Sequence, residues 1–191
     1  MSTDPAKAIR DADFVFENMV VKIVANRNSP EIDLPGIKLG PFKEGKEYEV
    51  KYWIAQELKK AGIAHIRIEE PLDLTILNKI HWKERVQTSQ KVTSLPEDFY
   101  PKLRRFLEEL NEKAIKKPEK RSDSEKAKNL SDDITQMRLK KIISLASSAK
   151  DHTGQILRSL TKEEKYVYEC LHEIINEWKT EILKTQGVDK T

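Results

Sequence analysis

At 191 residues the chain is long enough for one domain or two small ones with a buried core, and its 38% hydrophobic content excludes wholesale disorder. Charge is abundant but nearly balanced: 35 Lys/Arg face 32 Asp/Glu, with 11 against 10 in residues 1–68 and 24 against 22 in the remainder. Neither part has the positive excess of a dedicated DNA clamp, one cysteine (Cys170) rules out an internal disulfide or a thiolate zinc cluster, and no apolar run approaches the ~20 residues that span a bilayer.

Met1 to Ala12 is polar and of mixed charge, without the apolar stretch of a signal peptide, so an intracellular, soluble protein with no membrane contact is expected. Met19–Val24 is a compact, β-branched run that reads as a buried strand. Turn signals then follow closely, at Asn28-Ser29-Pro30, Pro35-Gly36, Gly40-Pro41 and Gly45. The pieces between them, Glu31–Leu34, Ile37–Leu39 and Tyr48–Tyr52, are strand-length. From Trp53 to Ala61 the period changes: Ile54, Leu58 and Ala61 share one face of a short helix that Gly62 stops. Ile63–Ile68 reads as a closing strand, completing a small β-rich domain over 1–68.

Residues 69–191 read as a helical bundle, making the chain α+β. A helix is expected over Pro71–Ser89, carrying Leu74, Leu77, Ile80 and Trp82. A second is expected to start at Leu95-Pro96-Glu97-Asp98, with the cap at Ser94 or Leu95, and to present Phe99, Leu103, Phe106, Leu107 and Leu110 as one stripe. Residues 116–129 hold nine charged side chains and nothing apolar larger than Ala127, which predicts a charged loop. Asn129–Asp133 reads as the capping cluster of a third helix with the stripe Leu139, Ile142, Ile143, Ala146 and Ala149, and Gly154 as an interruption before Ile156, Leu157 and Leu160. Thr161 and Glu164 have the spacing of a capping box. The helix behind them, with Tyr166, Val167, Cys170, Leu171, Ile174, Ile175, Trp178 and Ile182, has the widest apolar arc in the chain.

Catalytic patterns are scarce. The four histidines, His65, His81, His152 and His172, have no metal-ligand spacing, no glycine-rich loop is built to cradle phosphate, and no serine sits in a nucleophile elbow. Carboxylate pairs such as Glu69-Glu70, Glu108-Glu109 and Asp132-Asp133 suit solvation and capping better than general acid–base work, which needs a shielded group. No metal, cofactor or catalytic residue is therefore expected. Basic clusters at Lys59-Lys60, Arg104-Arg105 and Arg138 with Lys140-Lys141 lie beside carboxylates, without aromatics to stack bases. Phe99, Tyr100, Phe106, Tyr166, Leu171 and Trp178 are the large side chains suited to anchor a subunit interface.

The stretch Leu34–Gly45, followed by Tyr48–Ala55 and Leu58, resembles the small β-domain of GINS subunits. Gly40-Pro41-Phe42, Gly45, Val50, Trp53, Ala55 and Leu58 carry that family's pattern, with Gly40, Pro41, Phe42, Gly45 and Trp53 at its centre. Leu95–Tyr100 looks like the family's segment leading into a helical-domain helix. The β-first, helices-second order is similar to the archaeal second/third-subunit class. The resemblance implies a non-catalytic scaffold: a two-plus-two heterotetramer with the helices-first GINS subunit, in the cytosol at replication forks. It also implies binding to the MCM helicase and a Cdc45/RecJ-like protein, stimulation of unwinding, and primase as a further contact. From the balanced charge and the carboxylates beside each basic pair, direct DNA binding is expected to be weak or absent. Two other classes stay open on the residues alone: a DNA-binding accessory protein using the helical domain's basic pairs, and a small hydrolase built on a carboxylate pair.

Overall fold

A computed structural model describes residues 4–67, 71–87, 92–148 and 157–184. They fall into two compact units, Asp11–Pro71 and the chain from Leu72 onward, the residues up to Arg10 grouping with the latter.

The first unit is built on strand β1 (Val20–Ala25), flanked by β4 (Glu47–Lys51) and β5 (Ala64–Ile66), both antiparallel to it. Strands β2 (Ile32–Leu34) and β3 (Ile37–Leu39) form a separate hairpin. Its two-residue turn is Pro35-Gly36, with Gly36 at φ 84°, the positive angle that the third position of a type II turn requires. Helix α2 (Tyr52–Lys60) lays Ile54, Ala55 and Leu58 on the sheet, and Ile23, Ala25, Leu39, Phe42, Val50 and Ala64 complete the core. Sequence reasoning missed helix α1 (Pro5–Glu17), because its polar start conceals a proline in the first turn and an Asp4 side chain accepting from the Ala6 amide at 3.0 Å. Phe16 at its far end is buried against the Tyr52 ring.

The second unit contains α3 (Leu74–Val86), α4 (Phe99–Lys116), α5 (Arg121–Ser147) and α6 (Lys162–Ile182). Its core joins Leu77 of α3 to Leu95, to Phe99, Leu103 and Leu110 of α4, and to Ala127 and Ile134 of α5. Three expectations need correction. The second helix starts later than expected, at Phe99 behind Asp98, since Pro96 closes a turn in which its carbonyl accepts from the Phe99 amide at 3.0 Å. Residues 116–129 are not a loop: a 3₁₀ turn over Pro118–Lys120 leads straight into α5. Lys, Glu, Arg and Ala are good helix formers whatever their polarity, and within this segment Ala127 alone is buried, opening a stripe that α5 continues through Ser131 and Ile134. The expected capping cluster at Asn129–Asp133 is therefore mid-helix, and the Ser131 hydroxyl donates back to the Ala127 carbonyl at 2.7 Å instead of capping an end. Ile68, Ser89, Ala149, Gly154 and Ile156, which figured in the expectations, lie outside the described residues.

The Gly40-Pro41-Phe42 motif is structural. Gly40 has φ 89°, and a Cβ there would stand 3.1 Å from the Phe42 amide nitrogen and 3.2 Å from its ring. The turn drives Phe42 into the core, edge-on to Tyr48 with ring centroids 5.0 Å apart. G40A should therefore cost about 1–3 kcal/mol in urea unfolding, from the left-handed backbone and the crowding against Phe42 together. A G40A chain as stable as the parent would remove this account of the motif.

Candidate interaction surface

Helix α6 begins at a full capping box: Thr161 accepts from the Glu164 amide at 3.4 Å, and the Glu164 carboxylate accepts from the Thr161 amide at 3.0 Å. Glu164 is also one end of a buried ionic network. Arg138 of α5, with no exposed surface, grips it through Nε at 2.5 Å and Nη2 at 2.7 Å. The same guanidinium reaches Glu84 of α3 through Nη1 at 2.5 Å and the Thr93 carbonyl at 2.9 Å. Lys141 donates to the other Glu84 oxygen at 2.6 Å, and Thr93 also donates to Glu84. The Tyr100 hydroxyl of α4 donates to Glu164 at 2.7 Å. Two positive and two negative charges thus cancel in the interior, and the geometry of each bond specifies how four helices meet.

Burial works against the Arg138 charge, but hydrogen bonding and attraction to Glu164 outweigh it and raise its pKa. Burial likewise pushes the Tyr100 phenol far above its ordinary range, and the charge of Glu164 and the bond to it add to that. An unfolded chain releases this proton near pH 10 while the folded chain keeps it, so the contribution is present below about pH 10 and is lost as pH rises above it. Y100F should flatten the alkaline decline in stability, by at most about 1.4 kcal/mol per pH unit. Identical alkaline slopes in urea melts of the two proteins would count against it.

Two contacts set the register of α5 and α6. Arg138 meets Glu164, and the Ala146 carbonyl lies 3.2 Å from His172 Nδ1; both pairs are 26 residues apart. A constant separation means that the helices run parallel. Because α5 ends at Ser147, the last turns of α6 run past it, and among the described residues Lys179 ties them back by donating to the Ser147 carbonyl at 2.8 Å. Burial on α6 is inverted as a result. Its buried residues are Glu163 and Glu164, whereas Ile174 is 56% exposed, Trp178 62% and Ile182 64%. Val167, Leu171, Ile174 and Trp178 follow at intervals of four, three and four, the spacing of a coiled-coil seam. By helical geometry this seam turns away from the side on which His172 and Lys179 meet α5.

The candidate anchors separate accordingly. Phe99 is used up in the internal core, Phe106 packs against that core, and Tyr100 is half-buried with its hydroxyl in the network. Tyr166 and Leu171 are half-buried on α6, and Trp178 stands out from it. In the first unit Phe42 is interior, while Trp53 is 37% exposed. The basic pairs of the helical unit change meaning. Arg138 and Lys141 are buried inside the network; Arg105 donates to the Pro101 carbonyl at 3.0 Å, and Arg104 lies 3.8 Å from Glu163. Sequence reasoning missed the network, although it left a trace: Ile134, Arg138, Ile142 and Leu145 share one stripe, which puts an arginine at a core position.

Among the described residues no three His, Cys, Asp or Glu side chains gather as a metal would require, and no helix is long and apolar enough to cross a membrane. The described residues thus form a small antiparallel β-unit and a charge-locked helical unit whose helix α6 leaves Ile174, Trp178 and Ile182 exposed. Comparison with known proteins specifies the family. Residues 72–183 match the family model of the GINS complex protein helical bundle domain, and residues 8–67 match the PSF2 N-terminal domain. The DNA replication complex GINS protein PSF2 of Homo sapiens is 31% identical over 97 residues, and that of Xenopus laevis 29% identical over 97. Each alignment covers 51% of this chain and 51% of the relative, so the chain spans about half the length of the curated relatives it matches. The chain belongs to the GINS family of DNA replication complex proteins, as a PSF2-type subunit.

Proposed function

We propose that this chain is a non-catalytic subunit of a GINS heterotetramer, in which residues 69–191 form the assembly core and residues 1–68 dock at the periphery. The observation that carries this reading is the burial pattern of α6, which encloses Glu163 and Glu164 at its start and leaves Ile174, Trp178 and Ile182 outside. A helix in water gains most of its stability from packing its apolar face, and a seam without a partner among the described residues is satisfied by an external one. The partner is the helices-first GINS subunit, in the two-plus-two arrangement of the archaeal second/third-subunit class. The tetramer then acts in the cytosol at replication forks, bridging the MCM helicase and a Cdc45/RecJ-like protein and stimulating unwinding, with primase as a further contact. Its mechanism is avidity: one rigid body that holds two partners raises the concentration of each near the other without chemistry of its own.

Direct DNA binding through the basic pairs of the helical unit loses its main residues, since Arg138 and Lys141 are enclosed and neutralised. The test is the solution mass, by light scattering, of this chain co-expressed with a helices-first GINS subunit of the same genome. A stable two-plus-two mass is expected. Separate elution of the two chains, this one as a folded monomer, would defeat the proposal.

A further inference from the structure

We propose that the tip of the α4–α5 hairpin is a second, separate interaction site, one that takes an acidic and partly apolar segment of another protein. Residues 113–128 carry seven basic and three acidic side chains, an excess of four in a chain whose net charge is +3. The tip therefore holds more than the whole net positive charge of the molecule, and the remainder is slightly negative. The sequence-wide balance conceals this concentration.

The helix registers place the tip apart from the rest of the helical unit. Helix α3 runs parallel to α5, with His81 Nε2 3.5 Å from Asp133 and Glu84 against Arg138 and Lys141. Counting back along both helices sets Leu74, the first residue of α3, near residue 128, and α6 begins near Arg138. Residues 121–127 and the facing end of α4 stand beyond both. Ala114 and Ala127, buried at 8% and 0% exposure, let the two helices approach closely there.

Between them lies a cleft of about 280 Å³, lined by Asn111 and Ile115 of α4 and by Arg121, Ser124, Glu125 and Lys128 of α5. Lys113 and Lys120 are already engaged by Glu109 and Asp123, at 2.9 and 3.1 Å. Arg121 and Lys128 take part in no ion pair among the described residues. Ile115 is 76% exposed in this basic setting, nearly the most exposed large apolar side chain described.

These features fit an acidic peptide better than a nucleic acid. Phosphates need neither a cleft nor Ile115, and no Phe, Tyr or Trp lies between Phe106 and Tyr166 to stack a base. A carboxylate can take the fork of Arg121, a second can take Lys128, an apolar side chain can cover Ile115, and the peptide backbone can use Asn111 and Ser124. The tip is at the opposite end of α5 from the overhang of α6, so the two surfaces can be occupied at once and tested separately.

The experiment uses the full chain and fluorescence anisotropy. The probe is a short fluorescein-labelled peptide of Glu and Asp with leucines at helical spacing; its Lys-for-Glu/Asp counterpart and a labelled oligo-dT are the comparisons. Salt-sensitive binding of the acidic peptide alone is expected. R121E/K128E should weaken it at least about tenfold and I115S about threefold, with circular dichroism and the mass of the GINS assembly unchanged. No binding, or binding that both variants leave intact, makes the tip an ordinary solvated face and overturns the proposal. Tighter binding of oligo-dT that R121E/K128E abolishes would overturn it in favour of a nucleic-acid site.

Discussion

Replacing Arg138 with Met should lower the unfolding free energy of the helical unit by about 3–5 kcal/mol, the largest single effect on stability expected in this chain. The side chain has no exposed surface and makes two bonds to Glu164 and one to Glu84. Lys141 still neutralises Glu84 in the variant, at 2.6 Å. Glu164 has no second cation in the network and is left as a buried carboxylate held, among the described residues, by the Tyr100 hydroxyl and the Thr161 amide. A second substitution separates this from lost packing. R138M/E164Q removes the stranded charge and keeps an acceptor for the cap, so it should be more stable than R138M alone. Urea unfolding followed by far-ultraviolet circular dichroism reads both variants. A cost below about 1 kcal/mol, or a double variant worse than the single one, would show that the network does not organise the helices as described.

Trp178→Ala and Ile174→Ala are expected to act in the opposite place. Both side chains are more than half exposed, so neither substitution should change the stability of the chain alone by more than about 0.5 kcal/mol. In the complex a central tryptophan is the kind of residue whose truncation costs about 2 kcal/mol or more, roughly 30-fold in affinity. Sedimentation of the co-expressed pair over a dilution series should show W178A dissociating at concentrations where the parent remains whole, and I174A should fall between them. Equal assembly by all three proteins would remove α6 from the interface, whatever the fate of the GINS reading itself. The pairing of intact fold with lost assembly distinguishes this outcome from that of R138M.

What the sequence by itself determined is what local chemistry decides. The Pro35-Gly36 turn, the stop at Gly62 and the capping box of Thr161 and Glu164 each depend on a few adjacent residues, and each stands where the sequence reading puts it. The strands and helices between such signals follow from periodicity, and the GINS family pattern in residues 34–58 agrees with the match to the PSF2 N-terminal domain. Where composition stood in for propensity, the reading failed. Residues 116–129 are charged enough for a loop, yet they form the end of α4, a 3₁₀ turn and the start of α5, because helix formers need bury no more here than Ala127.

Only the tertiary structure decided how the apolar and charged faces were divided. Nothing in the spacing of α6 says that Ile174, Trp178 and Ile182 are left outside while two glutamates go in; their exposure goes with the parallel register with α5 and with α5 ending first. Likewise, Arg138 and Lys141 read as a surface cluster until Glu84 and Glu164, distant in sequence, are brought to them. Periodicity reports which residues share a face. What that face meets depends on helix lengths and offsets, and those are fixed by long-range contacts that no short window of sequence contains.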